Sequence, residues 1–135
     1  MTTVVDASLV VAALVDSGPD GEWASQELAG AALAAPHLLM VEVANILRRA
    51  ALAREVSDDS AALAHADLLD LRIELFPYEP VAARAWELRT TVTACDAWYV
   101  ALAESLDAPL ATLDRKLSRA AGPRCKFRLP SRRRA

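Results

Sequence analysis

No lysine or arginine precedes Arg48, although the opening residues are apolar. A secretory leader needs a basic segment ahead of its apolar stretch, so none is expected. No apolar run approaches the roughly 20 residues that span a bilayer, which leaves no membrane helix to expect. Cysteine is scarce: Cys95 and Cys125 make neither a metal-ligand spacing nor a disulfide framework, and they suit a reducing cytoplasm. The two histidines, His37 and His65, stand apart, so neither a soft-metal site nor a Cys–His nucleophile is expected. There is no glycine-rich phosphate loop, no internal repeat and no domain linker.

What is present is a hydrophobic chain of 135 residues, 54% hydrophobic and 24% charged, long enough for one domain with a real core. The net charge of −3 hides an asymmetry. Residues 1–114 hold all 18 acids and 6 of the 15 basic residues, a balance of −12, while residues 115–135 hold 9 basic residues and no acid. An acidic body with a basic end is a signature of interaction more than of fold. The body is expected to run to Pro130, with residues 131–135 as a basic tail.

Strand-like and helical segments alternate along the chain. Thr2–Val5, Leu33–Ala35, Ile73–Phe76, Leu110–Leu113 and Cys125–Leu129 read as strands. Helical patterns cover Ala7–Val15, Glu22–Gly30, Leu38–Ala53, Ser57–Leu71, Pro80 to about Val92, the stretch after Thr93, and Arg115–Ala121. Such alternation predicts an α/β fold of three layers, a central mostly parallel sheet flanked by helices.

Four acids occupy suggestive places in that scheme. Asp6 and Asp114 each follow a predicted strand directly, at the carboxyl edge where open α/β sheets bind ligands. Asp96 opens an apolar helix three residues after Thr93, a Ser/Thr-x-x-Asp pattern that also reads as a capping box. Glu42 lies inside Leu-Leu-Met-Val-Glu-Val-Ala-Asn-Ile-Leu, where burying an acid without a partner is costly. Each alone has a structural explanation, as a cap or, for Glu42, as part of an exposed stripe with Asn45 and Arg49. Gathered without basic partners they would repel one another, and a hard cation such as Mg²⁺ or Mn²⁺ is the natural neutraliser.

The chain resembles PIN-domain ribonucleases, and within them the VapC toxins of bacterial toxin–antitoxin pairs. The resemblance covers nearly the whole chain and rests on four blocks in order: Val4–Ser8, Pro36–Arg48, Asp96–Glu104 and Ala111–Leu117. It implies a PIN-like fold, usually a homodimer, and Mg²⁺- or Mn²⁺-dependent hydrolysis of RNA phosphodiesters. Position by position, Asp6, Glu42, Asp96 and Asp114 match the family's acidic metal-site residues. Ser8 and Thr112 match supporting hydroxyl positions, and Asn45 a polar position beside the site. Cys95 stands where many relatives have an aromatic, and Lys116 and Leu117 stand where some carry another acid.

On this reading Arg115, Lys116 and Arg119 would line an RNA approach, with the terminal arginines adding phosphate contacts. The resemblance further implies a small VapB-like antitoxin, which an apolar groove near the helices of Leu38–Ala53 and Ala61–Leu71 is expected to dock. The alternatives are a PIN-like interaction module without turnover, or a phosphoacceptor signalling domain. The latter would need an acceptor aspartate after a middle strand, and Ile73–Phe76 instead ends in Pro77-Tyr78.

Overall fold

A computed structural model of the chain describes residues 1–131. Arg132, Arg133 and Arg134, expected to belong to a basic tail, lie outside the described residues. The elements run β1 (Thr2–Val5), α1 (Ala7–Val15), α2 (Pro19–Ala29), β2 (Ala32–Pro36), α3 (Leu39–Leu52), α4 (Asp58–Asp70) and β3 (Ile73–Phe76). A single 3₁₀ turn (Glu79–Val81) then leads to α5 (Ala82–Glu87), α6 (Ala94–Ser105), β4 (Leu110–Ala111), α7 (Arg115–Ser118) and β5 (Phe127–Arg128).

The five strands form one sheet in the order β3-β2-β1-β4-β5, and every neighbouring pair is parallel. Val4 and Val5 point to opposite faces of β1, yet both are fully buried. A strand can do that only if both faces of the sheet are covered. α1 packs on α2, α3 and α4, whereas α5 packs on α6, which lies against β1, β2 and β4. The result is the expected three-layer α/β architecture. Tyr99 to Ala103 in α6 are five consecutive buried residues, so this helix is apolar all round and serves as the core of its layer. Among the described residues no helix is long and apolar enough to cross a membrane.

Local chemistry sets most helix starts. Asp6, Ser57, Thr93 and Asp114 are N-caps whose side chains accept from the backbone N–H three residues on. α2 begins at Pro19, three residues before the helical pattern predicted from Glu22, because a proline needs no donor in a first turn. Its Gly21 has no substitute: a Cβ there would lie 1.7 Å from the Asp16 carbonyl oxygen.

Four expectations are corrected. The helix predicted to reach Val92 stops at Glu87 and continues as turns, where Thr90, Thr91 and Val92 are poor helix formers and the Thr91 hydroxyl donates to the Ala121 carbonyl at 2.7 Å. β4 has two residues, not four, since Leu113 N–H leaves the ladder to donate to Ser8 Oγ at 3.2 Å. α7 ends at Ser118 and β5 is confined to Phe127–Arg128.

The last strand is tied in by ion pairs. Glu104 on α6 accepts from Arg84 Nε at 2.7 Å and from Arg124 N–H at 2.7 Å, while Arg84 also donates to the Gly122 carbonyl at 2.8 Å. Burial acts to raise the Glu104 carboxyl, but the bonds from Arg84 and Arg124 outweigh it and hold the group below its ordinary value. Arg128 in β5 grips Glu27 of α2 through two bonds, 2.6 and 2.9 Å. Removing the Glu104 carboxylate strands both Arg84 and the turn before β5. Glu104→Ala is expected to lower the unfolding free energy by about 2 kcal/mol, read from urea denaturation. A loss below about 0.5 kcal/mol, the size of an exposed pair, would show that the pair is solvated in solution.

Candidate metal centre

The strand order reverses at β1: the chain moves outward through β2 and β3, then returns to place β4 on the other side. The crevice between the carboxyl ends of β1 and β4 is therefore the topological switch point of the sheet. Asp6 follows β1 and is 8% exposed. Its Oδ1 accepts from Ser8 Oγ at 2.7 Å and from Leu9 N–H at 3.0 Å, and its Oδ2 accepts from Thr112 Oγ1 at 2.5 Å. Thr112, fully buried beyond β4, in turn accepts from Asp114 N–H at 2.9 Å. One carboxylate thus caps α1 and ties the ends of the two central strands together.

The other acids arrive from different elements. Asp96 lies half-buried in the first turn of α6, its N–H donating to Thr93 Oγ1 at 3.2 Å. Glu42 lies half-buried in the first turn of α3, where its Oε1 accepts from Tyr99 Oη at 2.6 Å. Asp114 is exposed and caps α7 through Leu117 N–H at 3.0 Å. Asp96 is the hub of the group. Burial raises its carboxyl and the charge of Asp114 raises it further, with only the Thr93 hydroxyl opposing. Burial likewise raises Asp6 and Glu42, each pushed the same way by Asp96, against the bonds from Thr112, Leu9 and Ser8 in one case and Tyr99 in the other.

No cation among the described residues answers these charges. Among the described residues the ion pairs join Arg84 to Glu87 and Glu104, and Arg128 to Glu27, none of them at this edge. Nor do any three His, Cys, Asp or Glu side chains among the described residues converge on one point as direct ligands. A donor set of oxygens, electrostatically linked yet open, suits a hard cation that keeps part of its water shell, as Mg²⁺ does with one or two carboxylates. Cys95 does not compete, because burial and the charges of Glu42 and Asp96 raise its thiol above the ordinary value.

The remaining predicted residues are placed unevenly. Ser8 and Thr112 both touch Asp6, as described above. Asn45 is exposed on α3, one turn beyond Glu42. Arg115 is half-buried and donates to the Pro130 carbonyl, so its guanidinium packs on the chain's own C-terminal segment. Lys116 and Arg119 are exposed beside Asp114. A separate cavity of about 740 Å³, lined in part by Met1, Pro109 and Phe127, lies at the opposite, amino end of the strands and holds none of the four acids.

Residues 3–123 match the PIN domain family. The chain is 42% identical over 127 residues to Ribonuclease VapC1 of Mycobacterium tuberculosis, covering 93% of this chain and 96% of that protein. The chain belongs to the PIN-domain VapC family. Ribonuclease VapC12 of the same organism is 34% identical over 126 residues, covering 93% of this chain and 97% of that one. The fold also matches the crystal structure of VapBC2 from Rickettsia felis bound to a promoter DNA fragment, with a TM-score of 0.68 at 14% identity over 96% of this chain and 98% of that chain. As a PIN domain, the chain sets its acids where the strand ends and helix starts of the fold meet.

Tyr99 is the site residue that the sequence reading missed. A tyrosine in an otherwise apolar helix needs a partner for its hydroxyl, and Tyr99 stands three residues after Asp96, on the same helix face. That pairing was available as a signal, but the partner, 57 residues away, was not.

The raised carboxyls carry a stability consequence. A carboxyl whose folded pKa exceeds its unfolded value contributes stability that is complete below the unfolded value, about 4, and is lost as pH rises through the folded value. Asp6, Glu42 and Asp96 all shift in that direction. In chelator, Asp96→Asn is therefore expected to raise Tm at pH 7 by about 2–5 °C, with the advantage shrinking as pH is lowered toward the carboxylate range. Thermal melts at two pH values measure it, and a lower Tm for the variant at pH 7 would contradict the repulsion.

Proposed function

We propose that this chain is a divalent-metal-dependent endoribonuclease, the toxin of a type II toxin–antitoxin pair, hydrolysing RNA phosphodiester bonds at the Asp6–Glu42–Asp96–Asp114 site. The observation that carries the reading is the linkage of four carboxylates through Asp96 at the switch point with no ion-pair partner among the described residues. Relatives named as VapC ribonucleases, up to 42% identical over most of the chain, support the reaction class.

Mg²⁺ or Mn²⁺ bound here would lower the pKa of a coordinated water and stabilise the charge that develops on the phosphate. Asp6, Asp96 and Asp114 would hold the ion, directly or through water, as oxygen ligands of a hard cation. Ser8 and Thr112 fix the Asp6 carboxylate between the strand ends and so set the direction of its lone pairs. Glu42, in the first turn of α3, would serve as ligand to a second metal or orient the attacking water. Asn45 lies beside it as a polar group open to substrate. Lys116 and Arg119, exposed next to Asp114, would meet the RNA backbone, which a purely acidic pocket would repel. Arg115 is committed to Pro130 and its part is to hold the C-terminal segment.

A VapB-like antitoxin is the proposed protein partner. α3 exposes Val41 and Leu52 and α4 exposes Leu63 and Leu69, a distribution that suits docking of an apolar segment on these two packed helices. A homodimer acting in the cytoplasm, with the folded body at 1–130 and a basic tail at 131–135, completes the reading.

End-labelled RNA incubated with the purified chain and Mn²⁺ tests the proposal. Cleavage is expected with Mn²⁺, none with chelator, and a loss of about 100-fold or more in Asp96→Asn. Undiminished cleavage by folded Asp96→Asn would remove the site from the reaction.

A further inference from the structure

The hydroxyl of Tyr99 reaches out of α6 to a carboxylate on α3, and the bond is short at 2.6 Å. The ring is 2% exposed and is among the largest fully buried side chains. Packing alone would be served as well by phenylalanine. The oxygen adds nothing to the core except this one contact, and a buried hydroxyl without a partner is costly. Asp96 stands one turn earlier on the same helix, so α6 presents an acid and, on the same face, the donor that holds a second acid.

The position of this bond in the fold is also informative. α3 belongs to the helical layer of α1–α4, and α6 forms the core of the other layer. The Tyr99–Glu42 bond therefore joins the two layers at the carboxyl rim of the sheet, where Asp96 repels Glu42. A lysine or arginine in place of Tyr99 would neutralise Glu42 outright. A phenol restrains the carboxylate without cancelling its charge. The bond engages Oε1 and leaves Oε2 free of any protein donor among the described residues.

We propose that Tyr99 is a positioning residue for Glu42, holding one carboxylate oxygen so that the other faces the attacking water. The inference rests on the ribonuclease reading and deepens it by assigning Glu42 to the water and not to the ion. Metal affinity should then be indifferent to Tyr99, while turnover should depend on it only through Glu42.

The test compares the unsubstituted chain with Tyr99→Phe, Glu42→Gln and the double variant. Single-turnover cleavage of one RNA gives the rate, its dependence on enzyme concentration gives apparent substrate affinity, and loss of the free Mn²⁺ electron-spin signal gives metal affinity. Tyr99→Phe is expected to slow cleavage on the order of tenfold, as a misplaced group does, with substrate and Mn²⁺ affinities changed less than about twofold. In the Glu42→Gln background the same substitution is expected to change the rate by less than about twofold, since residues acting as a unit are not additive. An unchanged rate in Tyr99→Phe, a loss explained by weaker Mn²⁺ binding, or an equal loss in both backgrounds would each overturn the inference. If Glu42→Gln is impaired while Tyr99→Phe is not, the positioning role fails and the nuclease reading stands. Full activity of Glu42→Gln would likewise overturn the inference and leave the nuclease reading standing, whereas no metal-dependent cleavage by the unsubstituted chain would remove both.

Discussion

A buried carboxylate at the end of the central strand is the constraint around which the rest of the site is arranged. Asp6 satisfies its two oxygens with three donors, the hydroxyls of Ser8 and Thr112 and the backbone N–H of Leu9. Without those bonds, burial at 8% exposure would be prohibitive for a charged group. With them, the acid starts α1, joins β1 to β4 across the switch point, and draws Leu113 out of the strand ladder toward Ser8. The early end of β4 is a consequence of building the site. Asp114 is then delivered three residues after the end of β4, its N–H held by the same Thr112 hydroxyl.

How far this was legible in the sequence depends on the range of the interaction. Thr2–Val5 reads as a buried strand because its β-branched residues are continuous, and Asp6 and Asp114 read as strand-end acids because the chain places them directly after such runs. Thr93 and Asp96 read as a cap and an acid because the capping pattern is local. The helix predicted as far as Val92 failed for a local reason that was visible, the β-branched run Thr90–Val92, and for one that was not, the bond from Thr91 to the Ala121 carbonyl. Long-range pairings carried no signal at all. Glu42 looked like an uncompensated acid in an apolar helix, and its compensation by Tyr99 appears only once α3 and α6 are brought to the same rim.

The basic C-terminal segment shows why charge counts mislead when read without contacts. Nine basic residues after Asp114 suggest a footprint for nucleic acid. Yet Arg128 is locked to Glu27, Arg115 is turned to the Pro130 carbonyl, and Arg124 contributes its backbone N–H to Glu104. These contacts anchor a two-residue edge strand that could not hold itself in place. Part of the charge asymmetry is thus architecture. Among the described residues, what remains exposed beside Asp114 is the pair Lys116 and Arg119.

Three carboxyls of raised proton affinity, Asp6 and Glu42 pushed up in part by Asp96 and Asp96 in part by Asp114, form a group that the folded chain holds at a cost. Sequences purge such conflicts where nothing is gained from them, and retain them where function needs them. Alternative solutions were physically open: an arginine in the position of Tyr99, or a lysine at Asn45, would relieve the repulsion permanently. On the proposed reading either would also lower the affinity for an external cation, because the field that would attract the ion is the same field that strains the fold. The side chains chosen instead are hydroxyls and a phenol, donors that direct carboxylate oxygens and leave the charge intact. Neutral restraint of a negative cluster preserves its demand for a cation, and any ion that binds the folded chain alone returns the lost stability by mass action. Geometry and repulsion are therefore two halves of one device, since hydrogen bonds fix where the acids point and their unrelieved charge determines what they will accept.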